Sequence, residues 1–230
     1  MFKFLFLLRV SAYNVGAMEK QEPLILNIDA EEPAALLELF KRPLFWLLAA
    51  GGLAWSFAHF GTNGQGVGYG LFAVVLLALS LIDLRHYILP DILIVPAIFV
   101  GVTLCFFVPW LHPVNTFAGM LFGFLMFWLL FWGFYKIRGY YGMGFGDVKL
   151  MAMLGTWAGG LNLPLIILLS SFVALPIFVI RFYLKGTSMS TPLPYGPFLA
   201  LGGWLSILYG AEIWAFIFHW RAVILNTILG

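Results

Sequence analysis

From Pro43 onward, apolar runs follow one another with almost no charge inside them. A helix that crosses a bilayer needs about 20 apolar residues, with a range of roughly 17–25. Pro43–Phe60 and Gly66–Ile82 reach the lower limit, separated by the turn Gly61-Thr62-Asn63-Gly64-Gln65. Ile92–Leu111 and Val114–Tyr135 follow. Leu150–Ile180 has no charged residue and is too long for one crossing, so a break is expected at Gly159-Gly160-Leu161-Asn162-Leu163-Pro164. Pro194–Ala211 is another span, and Ile213–Leu229, interrupted by Arg221, a short last one. Hydrophobic residues make up 63% of the 230-residue chain and charged ones 10%. A soluble domain has roughly 45–50% and about 25%. The pattern excludes an ordinary soluble domain, a disordered chain and a nucleic-acid binder. It predicts an all-α fold, a polytopic transmembrane helical bundle of about seven to eight spans, because only helices and closed barrels satisfy their backbone in lipid.

Residues 1–42 differ from residues 43–230 and form a separate N-terminal segment. They hold Glu19, Glu22, Asp29, Glu31, Glu32 and Glu38, six of the ten acidic residues. The apolar stretch Phe4–Leu8 before Arg9 is shorter than the apolar core of about 7–15 residues in a secretory signal. Residues 1–18 are expected to form an interfacial or irregular helix, or a poor first span. Residues 19–42 read as a polar cytoplasmic segment with a short amphipathic helix through Ala34–Phe40.

The basic residues orient the bundle. With Lys41 and Arg42 in the cytoplasm, span counting puts Arg85, Lys136, Arg138, Lys149, Arg181 and Lys185 on the same side. The opposite connections hold no Lys or Arg, and only Arg221 is ambiguous. That is the positive-inside asymmetry.

Between Arg42 and Ala211 only three carboxylates remain: Asp83, Asp91 and Asp147. Ionisable groups at the membrane are costly and mark functional sites by default. Asp83 closes one span, two spans follow, and Asp147 opens the next, so both lie at the cytoplasmic face and can meet. Asp91, after Leu89-Pro90, suits a helix start, where the dipole favours an acid. Asp147 ends Gly142-Met143-Gly144-Phe145-Gly146-Asp147, whose alternate glycines permit positive φ and close approach of another backbone. Such a loop, through Gly142, Gly144, Phe145 and Gly146, suits a peptide-binding aspartyl site. Lys149 is expected to point away from Asp147 and snorkel. His59, His86, His112 and His219 form no ligand cluster. The single cysteine, Cys105, excludes a disulfide framework and a Cys-based zinc site. There is no phosphate-binding loop, HExxH or GxSxG.

Three segments carry a resemblance. Ile82-Asp83-Leu84-Arg85-His86-Tyr87-Ile88-Leu89-Pro90-Asp91 resembles the first aspartate motif of the bacterial type IV prepilin peptidases. Gly144-Phe145-Gly146-Asp147-Val148-Lys149-Leu150 resembles their G-x-G-D-x-K-L motif. Pro194-Tyr195-Gly196-Pro197-Phe198-Leu199-Ala200-Leu201-Gly202 resembles their late P-F-G-P-x-L-A-x-G segment. The resemblance implies a G-x-G-D membrane aspartyl protease of the inner membrane. Such a protein cuts the short basic leader from prepilins or type II secretion pseudopilins on the cytoplasmic side, after a Gly, with Asp83 and Asp147 as the catalytic pair. Many members also carry a cytoplasmic domain with two cysteine pairs, and those methylate the new N-terminus with S-adenosylmethionine. Residues 1–42 contain no Cys. No zinc is therefore expected, no cofactor for the peptidase, and S-adenosylmethionine only if N-methyl transfer occurs.

Adjacent carboxyls do not both ionise easily, so one keeps a proton and the other takes one from water. Two alternatives compete. A proton-coupled transporter would place charges near the bilayer midplane and show an internal repeat. A presenilin-like intramembrane protease would show a late P-A-L motif, where this chain has Pro-Tyr-Gly-Pro.

Overall fold

A computed structural model describes residues 33–138, 144–185 and 194–229. The described residues are helices and connections, with no strand among them. They are α1 (33–40), α2 (Pro43–Phe60), α3 (Gly64–His86), α4 (Asp91–Leu104), α5 (Pro113–Arg138), α6 (Phe145–Ala158), α7 (Leu163–Lys185) and α8 (Gly196–Leu229). A 3₁₀ turn, Gly160–Asn162, joins α6 to α7. Residues 1–18 and most of the acidic segment lie outside the described residues. Helix α1 falls where the amphipathic pattern predicts one. It buries Ala35 and Leu39 against Phe45 of α2 and Ala78 and Ile82 of α3.

Among the described residues five helices are long and apolar enough to cross a membrane: α2, α3, α5, α7 and α8. The protein is a helical membrane bundle. Helices α4 and α6 have 14 residues each. That length rises about 21 Å, less than a hydrocarbon core of about 30 Å. The expected span Ile92–Leu111 therefore contracts. The Thr103 hydroxyl bonds back to the Phe99 carbonyl at 2.8 Å, and residues 105–107 turn. Pro109 then disfavours helix in the residue before it. The break expected near 159–164 is present: Gly159 has φ +83°, a conformation that favours glycine, and it ends α6. At the C-terminal end two expected spans are one helix. Ala211-Glu212-Ile213 carries no glycine or proline, so α8 runs through without a break.

Helix α6 is the centre of the bundle, packed by α4, α5 and α8. Val148, Leu150, Met151, Met153 and Leu154 have no exposed surface. Its backbone meets that of α5 directly, since a Cβ on Gly119 would collide with the Gly155 carbonyl and one on Gly155 with that of Gly119. Small residues are what permit such close helix approach in membranes. Trp157 fastens the other side. Its indole N–H donates to the Ala97 carbonyl of α4 at 2.9 Å, and its ring stacks on Phe72 of α3 at 4.5 Å.

Candidate active site

Helices α3, α4, α6 and α8 converge at one end of the bundle. Asp83 stands in the last turn of α3 and is 5% exposed. The helix stops just beyond it because Tyr87 adopts φ +56° while its N–H still bonds the Asp83 carbonyl at 3.0 Å. The Asp83 side chain accepts a buried hydrogen bond at 3.0 Å from the backbone N–H of Gly196, the first residue of α8. The late Pro-Tyr-Gly-Pro segment therefore sits on the first aspartate motif, 113 positions away in the chain.

Asp147 stands in the first turn of α6 and is 8% exposed. Its N–H bonds the Gly144 carbonyl at 3.2 Å, and Gly144 is the residue that caps the helix. The two carboxyls lie close enough to act on each other electrostatically. Two carboxyls in one buried site titrate as a unit, and sharing a proton between them avoids two desolvated charges.

Of the proposed loop, Gly142 lies outside the described residues. Gly144 has an ordinary extended backbone at φ −71°, so no left-handed turn is needed there. Phe145 and Gly146 are already helical. The ring of Phe145 packs edge-on against Phe131 of α5 at 5.6 Å. Gly146 is a site of close approach: a Cβ there would stand 3.0 Å from the Leu89 Cβ. A Cβ on Gly196 would meet Asp83 Oδ2 at 2.6 Å and Leu89 Cδ2 at 3.2 Å. Leu89 thus lies against both glycines, and each glycine adjoins one of the two aspartates.

The chain order conceals two features of this end. Gly196 contributes through its backbone N–H and through the room a missing Cβ leaves for Asp83, and that partner is 113 positions away, so nothing beside Gly196 in the chain announces the contact. Lys149 does not snorkel. Its ammonium makes a two-oxygen ion pair with Asp91, at 2.8 and 2.7 Å, and lies 5.3 Å from the Phe145 ring centre. The pair is mostly buried, with 15% and 28% of the side chains exposed. The packing of α4 against α6 brings a carboxylate within reach of the lysine's flexible stem. Asp91 also occupies the first turn of α4, as expected for a helix start. Among the described residues no three His, Cys, Asp or Glu side chains gather as a metal would require.

The chain resembles characterised proteins over this region. A model of the type IV leader peptidase family matches residues 70–179. A prepilin leader peptidase/N-methyltransferase of Pseudomonas aeruginosa is 42% identical over 166 residues, which cover 72% of this chain and 56% of that protein. Its namesake in Stutzerimonas stutzeri is 39% identical over 168 residues, covering 73% and 57%. That of Xanthomonas campestris is 36% identical over 173 residues, covering 75% and 60%. The chain thus spans a little over half the length of these relatives. No solved structure matches it. Asp83, Asp147 and the first and second motifs all lie inside the matched region, and the chain belongs to the type IV leader peptidase family.

Proposed function

We propose that this protein is an aspartic endopeptidase of the bacterial inner membrane that removes the basic leader of type IV prepilins or type II secretion pseudopilins. Cleavage follows a Gly and takes place on the cytoplasmic side, with Asp83 and Asp147 as the catalytic pair. One observation carries this: two buried carboxyls from different helices lie within electrostatic reach of each other at one end of a membrane bundle. The relatives' names and the charge asymmetry of the connections support the substrate and the side.

In the reaction one aspartate, ionised, takes a proton from a water molecule. The water oxygen bonds to the scissile carbonyl carbon, and the second aspartate, protonated, donates to the carbonyl oxygen. The C–N bond then breaks: the aspartate that took the water proton gives it to the leaving amine nitrogen, and a hydroxyl of the diol returns its proton to the other aspartate, so the pair again holds one proton. The Gly196 N–H orients the Asp83 carboxyl for this without itself gaining or losing a proton. A transporter would place its carboxylates near the midplane of spans, whereas Asp83 and Asp147 occupy a last and a first turn.

The same relatives are named N-methyltransferases, and methylation of the new N-terminus is part of the proposal, with S-adenosylmethionine as methyl donor. The charged side chains near the pair, Asp91 and Lys149, are engaged with each other. No step is derived through the methyl donor. The test is direct. Detergent-solubilised protein mixed with a prepilin should release the leader, and the intact prepilin recovered after long incubation would refute the proposal.

A further inference from the structure

Resting on the peptidase reading, we infer that Leu89 is the residue that restricts the position before the scissile bond to glycine. The steric frame around the two aspartates is narrow. Gly146 immediately precedes Asp147, and Gly196 donates its N–H to Asp83. One side chain touches both glycines. The Cβ, Cγ and Cδ1 of Leu89 lie 3.0, 3.5 and 3.2 Å from where a Cβ of Gly146 would be. Its Cδ2 lies 3.2 Å from where a Cβ of Gly196 would be, and that same point is 2.6 Å from Asp83 Oδ2. A leucine methyl group therefore stands within one residue's reach of a catalytic carboxylate.

A scissile carbonyl carbon must come within about 3–3.5 Å of the attacking water, which the two carboxyls hold between them. The preceding Cα is one bond further, about 1.5 Å away. That Cα is then placed against the Gly146–Leu89–Gly196 frame. A glycine presents only hydrogens there. A Cβ would compete for volume that Leu89 fills.

Leu89 is itself held in place. It lies between Tyr87, where α3 ends, and Asp91, whose ion pair with Lys149 ties this segment to α6. Pro90, buried, stiffens the backbone between them. Leu89 is only partly buried and packs on the core cluster without being enclosed by it, as a wall facing a substrate would be. Its neighbour Ile88 is packed on the smaller cluster with α1 and α2 instead, and Leu93 touches both clusters.

The experiment uses two prepilins that differ only at that position, one with Gly and one with Ala. The quantity read is the ratio of kcat/KM for the Ala prepilin to that for the Gly prepilin. Partial misfolding lowers both values equally and leaves this ratio unchanged. In a series Leu89→Val and Leu89→Ala the ratio should rise as the side chain shrinks, by about tenfold or more for Leu89→Ala, the scale of discrimination a methyl group exerts in an apolar site. Leu89→Phe should lower it. A ratio that stays constant across the series overturns the inference, and so does a series in which every variant is inactive on both prepilins, since Leu89 would then be a structural wedge. Failure of the wild-type protein to cut the Gly prepilin would instead refute the peptidase reading.

Discussion

Asp83 and Asp147 are both almost fully buried; the carboxyl of the first accepts the Gly196 N–H, and the backbone N–H of the second donates to the Gly144 carbonyl. An Asn in either place keeps the volume and the ability to accept a hydrogen bond, but it cannot hold or release the shared proton. Asp83→Asn and Asp147→Asn should each reduce leader removal by about a thousandfold or more, and the double variant should fall no further, because groups that act as a unit are not additive. Inserted protein with unchanged thermal unfolding and undiminished cleavage in either single variant would exclude the pairing. The glycines are less alike than their spacing suggests. Gly146 and Gly196 leave room for Leu89 and Asp83, whereas a Cβ on Gly144 would meet nothing closer than 3.8 Å.

At the scale of elements, α4 and α6 are pinned by the Lys149–Asp91 pair near the site and by the Trp157–Ala97 hydrogen bond toward the other end. Two attachments at opposite ends fix both the tilt and the axial position of α6. Removing one partner of a mostly buried ion pair leaves the other charge less well compensated. Lys149→Met should lower stability by about 1–3 kcal/mol, read as a lower unfolding temperature in detergent. Combining it with Asp91→Leu should recover most of that loss, since replacing both charges with apolar groups is often nearly neutral. Asp91→Asn keeps one acceptor for Lys149 and should retain most cleavage. Complete loss of activity in well-folded Asp91→Asn protein would move Asp91 into the reaction itself.

At the scale of the whole molecule, the ends of α3, α5 and α7 and the starts of α4, α6 and α8 share one face, if each helix reverses direction in the bilayer. Reporters fused within 61–63 or 160–162 should then be periplasmic, and those within 136–142 or 183–190 cytoplasmic. A periplasmic signal from residue 140 would put the pair on the wrong side for a cytoplasmic leader. The acidic segment bears on the same face. Residues 19–38 carry six acids and one base, Lys20, and a basic leader would be drawn toward them. Exposed charges act mainly on encounter and are screened by salt. Neutralising Glu31, Glu32 and Glu38 together should raise KM at low salt, leave kcat nearly unchanged, and lose its effect above physiological ionic strength. An identical low-salt KM would assign the segment to solvation alone. Of the three, only Glu38 is among the described residues, exposed on α1.

The helical membrane fold and the break after Gly159 follow from sequence alone, because they depend on local quantities. Run length, missing charge and a tract of glycine, asparagine and proline can each be read without knowing a neighbour. The placement of both aspartates toward one end could also be argued from counting crossings. What needed the tertiary structure were the contacts between elements. The sequence holds no sign that α6 would be central, because burial on all sides and exposure to lipid select the same apolar residues. It holds none that Lys149 would turn to Asp91, because a lysine's flexible stem can reach water or a carboxylate, and packing of α4 decides which. Nor can it show that Gly196 would cap Asp83 or that Leu89 would stand between two glycines. Those contacts join positions far apart in the chain, and they exist only because four helix ends are packed into one place.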